Sequence, residues 1–177
     1  MNNKMKKIAL LYLFILAQSI NPIFSQHKGN GNEIPVLKEI SGFQEVKKIF
    51  PQAHELAQIN DVWHKIVDNQ KQTLGYCISS KPYSEGIKGY HAATPVLIIL
   101  DKEKTIKRVT LLSHYETQSY VEMLKQNKFF ASWEGKTIKD AMNAKASPDS
   151  YSGATITAVS IRRNIDIILR KAYENRF

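Results

Sequence analysis

The sequence holds a single cysteine, Cys77. One cysteine rules out an internal disulfide, a Cys-x-x-Cys-His haem attachment and a cysteine-ligated iron–sulfur cluster. Its setting, the apolar stretch Leu74 to Ile78, suits a small buried hydrophobe better than a reactive thiol. Metal-ligand spacing is missing as well. The five histidines (27, 54, 64, 91 and 114) form no ligand pairs, so no metal site is expected. Low-complexity tracts and internal repeats are absent, which sets aside disordered arrays and solenoids. Lys and Arg outnumber Asp and Glu, 25 to 16, yet they are scattered, with no dense stripe interleaved with aromatics. Nucleic-acid binding is therefore not expected. Redox chemistry in such a chain needs an organic cofactor.

Long apolar runs are scarce, and the exception lies near the start. Ile8 to Ala17 (IALLYLFILA) is uninterrupted, preceded by Lys4, Lys6 and Lys7 and followed by Gln18, Ser19, Asn21, Pro22 and Ser25. Positive charge, an apolar run and then small, turn-prone residues is the order of a secretory signal peptide. The run is well short of the roughly 20 residues that span a bilayer. Residues 1–25 are thus expected to act as a signal peptide, exporting the protein to the periplasm or another extracytoplasmic space, either free or at the membrane surface. Cleavage after Ser25 and cleavage after Ser19 both fit. A buried N-terminal helix or an uncleaved anchor is the competing reading, and no cysteine just past the run supports a lipoprotein. Removing the three n-region lysines lowers the net charge from +9 to about +6, a surface that suits an acidic protein, an anionic ligand or a membrane.

Residues 26–41 read as a flexible lead-in, rich in Gly and Asn, to a single domain over 42–177. Gly42 to Ile59 predicts one or two short amphipathic helices broken near Pro51. Val62 to Val67 and Leu74 to Ser80 read as a hairpin around a polar turn at Asp68 to Lys71. Pro95 to Leu100 (PVLIIL) predicts a buried strand, joined through Asp101 to Lys104 to a second strand over Thr105 to Ser113. Thr117 to Phe130 and Lys136 to Ala144 are helix-prone. Apolar residues at Ile156, Val159, Ile161, Ile165, Ile168, Leu169 and Ala172 mark a C-terminal amphipathic helix over Ile156 to Tyr173. The expected class is α+β, a largely antiparallel sheet with flanking helices.

The stretch Asp149-Ser150-Tyr151-Ser152-Gly153-Ala154-Thr155 precedes that last helix. Asp149 and Ser152 are both N-cap candidates. A helix start turns unpaired N–H groups and positive partial charge outwards, a setting in which phosphate is favoured. Gly153 and Ala154 lack bulk and would let such a group approach the main chain, and Thr155 adds a hydroxyl in the first turn. Residues of these types also make an ordinary capped helix.

The run DSYSGAT closely resembles the flavinylation motif Asp-x-x-Ser/Thr-Gly-Ala-Thr of the FMN-binding domain family, which includes the C subunit of sodium-translocating NADH:quinone oxidoreductase and the G subunit of the Rnf complex. Gly89-Tyr90 ahead of Pro95 to Asp101, Glu116-Thr117 after His114-Tyr115, and Trp133-Glu134-Gly135-Lys136 resemble further pieces of that family in order, over roughly residues 45 to 172. The resemblance implies FMN held covalently through a phosphodiester on Thr155. It implies a separate flavin transferase, dependent on FAD and Mg²⁺, that recognises Asp149, Ser152, Gly153 and Ala154. It also implies electron exchange with a membrane reductase or another redox protein. Glu116 and Thr117 would contact the flavin's polar edges or ribityl chain, or simply start a helix. Trp133 would pack near the isoalloxazine ring or fill the core. Lys136 would meet the phosphate or a flavin carbonyl, or stay solvated. Gln118-Ser119 departs from the family's Pro-Gly, and Ala158 stands where a Ser is common. Two other functions compete: a non-flavinylated secreted binding module with the same fold, and an enzyme reducing its own substrate. For the latter no acid/base constellation is visible.

Overall fold

Five strands form one antiparallel sheet in the order β1-β2-β3-β4-β5, each pairing with its neighbour in sequence. They are β1 (Glu55–Gln58), β2 (Trp63–Val67), β3 (Thr73–Ser79), β4 (Val96–Leu100) and β5 (Ile106–Leu111). The helices are α1 (Gly42–Ile49), α2 (Gln118–Gln126), α3 (Ile138–Ala141) and α4 (Thr155–Glu174). This is an α+β arrangement, and it comes from a computed structural model that describes residues 35–144, 146, 151 and 153–177. The expected signal peptide, most of the lead-in, Asp149 and Ser152 lie outside the described residues. No helix among those residues is long and apolar enough to cross a membrane.

Two aspartates set the hairpin registers. Asp68 Oδ1 accepts the N–H groups of Gln70 and Gln72, both at 2.9 Å, and Asp101 Oδ1 accepts that of Thr105 at 2.8 Å. Each turn then needs a residue with positive φ, and a lysine fills it both times: Lys71 at 63° and Lys104 at 62°. Lys104 gains in return, since its ammonium lies 3.7 Å from the centroid of the Phe177 ring.

One expected helical segment is a strand. The helix reading over Gly42 to Ile59 holds to Ile49, and residues 51 and 52 turn the chain. Glu55–Gln58 then pairs antiparallel with β2, Leu56 opposite Ile66. Four residues are too few for periodicity to separate strand from helix, and pairing with β2 decides.

The sheet is covered on both faces, which is why β4 is buried at every position. Ile66, Cys77, Leu97, Ile99 and Leu112 pack with Val46 of α1. Ile78, Val96, Ile98 and Leu100 pack with Ile161, Ile165, Ile168 and Leu169 of α4. Those four α4 side chains are fully buried, worth on the order of 6–12 kcal/mol before entropy is counted. That anchorage fixes where the first turn of α4 sits. At the helix's far end, Trp63 Nε1 donates to Ala172 O at 3.1 Å. Cys77 is buried, and burial pushes its thiol up to about 12, so it carries no thiolate at neutral pH.

Gly75 in β3 has no room for a side chain. A Cβ there would lie 2.3 Å from the Leu100 carbonyl oxygen and 3.0 Å from the Phe50 ring. Gly75→Ala is expected to destabilise the protein by about 2 kcal/mol or more, read as the shift in urea midpoint. An unchanged midpoint would contradict this packing.

Candidate functional site

The first turn of α4 lies beside a buried carboxylate. Glu116 is fully buried, and its Oε1 accepts the backbone N–H groups of His91 at 3.0 Å and Ala92 at 3.3 Å. Its Oε2 accepts the Tyr90 N–H at 3.0 Å and the hydroxyl of Thr157. A buried charge is tolerated only with such a full set of donors. Glu116 therefore ties three segments together: the loop at residues 89–92, the approach to α2 and the start of α4. Gly89 makes the cradle possible, because a Cβ there would fall 2.6 Å from Glu116 Oε1.

The same face of α4 carries a polar ridge. Thr157, Ser160 and Asn164, all buried, recur at i, i+3 and i+7; Thr157 meets Glu116 and the other two meet the segment before β4. Ser160 Oγ lies 2.6 Å from Thr94 Oγ1, and Asn164 Nδ2 donates to Thr94 Oγ1 at 3.3 Å. Their spacing was visible in the sequence as three polar residues on an otherwise apolar stripe. It was missed because the stripe itself was the stronger signal. The backbone amides of 90–92 carry no side-chain signature at all.

Thr155 is half-buried in the first turn of α4, its hydroxyl donating to Tyr151 O at 3.2 Å. Gly153 adopts φ 85°, a left-handed conformation that favours glycine. Ala154 is buried and, as the residue preceding the helix, has no side chain to cap it. No acidic residue lies in the first turn. Small residues, a hydroxyl and a helix start without a carboxylate are together what a phosphate ester requires.

The other expected site residues divide. Glu116 is engaged by internal donors on both oxygens, and so acts on this region through the loop and helix it holds. Thr117 occupies the N-cap position of α2 without capping it, and its Oγ1 lies 3.4 Å from His91 Nε2. Gln118, at the first of the two departures from the family pattern, opens α2 and donates to Glu122. Trp133 is fully buried and packs edge-on against Phe129 at 5.3 Å, so it fills the core. Lys136 sits at the start of β5, its carbonyl accepting the Ile106 N–H at 2.9 Å. Glu116 follows the other end of β5 in sequence.

Tyr90, Tyr115 and Ile156 are 39%, 49% and 56% exposed, and each is, or adjoins in sequence, a residue of the Glu116 hydrogen-bond set.

Residues 89–169 match the family model of the FMN-binding domain. The chain carries an FMN-binding domain. Its span opens at Gly89, the residue whose missing side chain admits Glu116, and closes on α4. The FMN-binding domain therefore includes the carboxylate, its cradle and Thr155. No curated protein matches the chain.

His114 completes the neighbourhood. Its Nδ1 accepts the Glu116 N–H at 3.2 Å. Burial holds its pKa down at about 4, against the opposing pull of the Glu116 charge, with Lys38 and Lys125 adding to the depression. The imidazole is neutral in the native state, whereas in the unfolded chain it takes a proton near pH 6.5. The native advantage is therefore complete above about pH 6.5 and erodes as the pH falls towards 4. The midpoint of thermal unfolding should fall more steeply over that window in the wild type than in His114→Gln. Parallel curves would remove this residue from the acid response.

A second expectation concerns the cradle. Gly89→Ala should cost about 1–3 kcal/mol in the wild type and markedly less in a Glu116→Ala background, where the clashing oxygens are gone. Additive losses in a double-mutant cycle would contradict the contact.

Proposed function

We propose that this protein is an extracytoplasmic electron-transfer flavoprotein that holds FMN covalently through a phosphodiester on Thr155. It exchanges electrons with a membrane reductase or another redox protein. The supporting observation is the position of Thr155: within an FMN-binding domain, its half-buried hydroxyl stands in a first turn free of acidic side chains, next to Gly153 and Ala154.

The chain's own residues bind and position. Thr155 would hold the flavin phosphate through its side-chain oxygen, giving up the hydroxyl proton and with it the bond to Tyr151 O. With FAD as donor, AMP is the other product, and the FAD- and Mg²⁺-dependent transferase provides that step. Main-chain N–H groups of the first turn would hold the phosphate's negative charge. Glu116, by holding Thr157, fixes that turn. Tyr90, Tyr115 and Ile156 offer exposed apolar area to a planar ring. A bound flavin supplies one- and two-electron chemistry, and the protein needs no nucleophile or proton relay of its own for it. Covalent attachment suits a compartment where lost FMN is not readily replaced. Export rests on the charge and apolar pattern of residues 1–25.

Co-expression of the full chain with a flavin transferase should give in-gel flavin fluorescence and an intact mass raised by one FMN. The same mass reports the cleavage site. Thr155→Ala should abolish both signals. An adduct persisting in that variant would move the attachment elsewhere, and protein from its own host without flavin would overturn the redox reading.

A further inference from the structure

On the other side of His114, the outer edge of β5 borders a cleft of about 630 Å³, within the range of roughly 300–1,000 Å³ usual for small-ligand sites. Among the described strands only β4 pairs with β5, and the outer edge is bonded at Ile106 by Gly135 and Lys136. The cleft is strongly cationic. Lys38, Lys48, Arg108, Lys125 and Lys128 line it, against the carboxylates of Glu45 and Glu134. Those two are already engaged, Glu45 with Lys48 and Glu134 with Arg108 at 3.3 Å. Lys125 and Lys38 share Glu122, at 3.1 and 3.8 Å.

His114 also lines this cleft and is 2% exposed. Because its Nδ1 accepts the Glu116 N–H, the neutral ring carries its hydrogen on Nε2. That Nε2 is buried and has no hydrogen-bond partner among the described residues. A buried donor left unmatched costs about 1–3 kcal/mol, and the residue that carries it belongs to the wall of this cleft.

We infer that this cleft is a second ligand site, which binds a small oxyanion, carboxylate or phosphate, on the Lys125–Lys128 side beside His114. The site uses none of the residues assigned to the cofactor and stands whether or not Thr155 is flavinylated. Through the Nδ1 bond to the Glu116 N–H, an anion here also touches the residue that holds the start of α4.

The test titrates the full chain, labelled with ¹⁵N-histidine, with inorganic phosphate and separately with citrate at constant ionic strength. Saturable movement of the His114 Nε2 resonance by either anion supports the site, and the tighter one identifies the headgroup. The double variant Lys125→Gln/Lys128→Gln, which alters surface residues only, should weaken that binding tenfold or more. His114→Phe also removes the acceptor for the Glu116 N–H and can fail to fold, so the surface pair carries the test. No saturable shift with either anion, or equal binding in the double variant, would overturn the proposal.

Discussion

The arrangement around the helix start depends on the burial of one carboxylate. Glu116 sits fully out of water, which is tolerable only because three backbone amides and a hydroxyl are aimed at it. Those donors come from segments 24 to 41 residues away in sequence. Satisfying one side chain therefore closes long loops and leaves little freedom to the first turn of α4. The constraint runs both ways: the amides of 90–92 are as dependent on Glu116 as it is on them.

The elements with strong patterns were legible. The C-terminal helix, the two hairpins and the buried strand PVLIIL announced themselves through period and turn chemistry, and they fix the class. β1 was not legible, because Leu56, Ala57 and Ile59 continue a helical spacing and only the partner strand overrides it. Gly153, Ala154 and Thr155 stood out because small residues and a hydroxyl before an apolar stripe have a direct physical meaning. Trp133 left two roles open, and in the fold it is buried against Phe129. The Glu116 cradle was out of reach, since main-chain N–H groups leave no trace in composition.

Two polar regions flank the same residue pair. On one side Glu116 reaches Thr157 and, through it, the helix that begins at Thr155. On the other its backbone N–H meets His114, a residue in the wall of a cleft rich in basic side chains. A neutral imidazole is suited to this position because it accepts on one nitrogen and donates on the other. A lysine would offer no acceptor.

Lys104 shows how a strained backbone can be retained. A left-handed conformation costs a side-chain-bearing residue roughly 1–2 kcal/mol, and glycine would avoid it. Glycine would also forfeit the contact with Phe177 and the bond from Lys104 Nζ to the Phe177 carbonyl, worth about 1 kcal/mol together with neighbouring rings. The two contributions oppose each other, so a near-zero change on substitution here would signal cancellation rather than an idle position. Silence in a mutational scan at this turn is therefore itself informative.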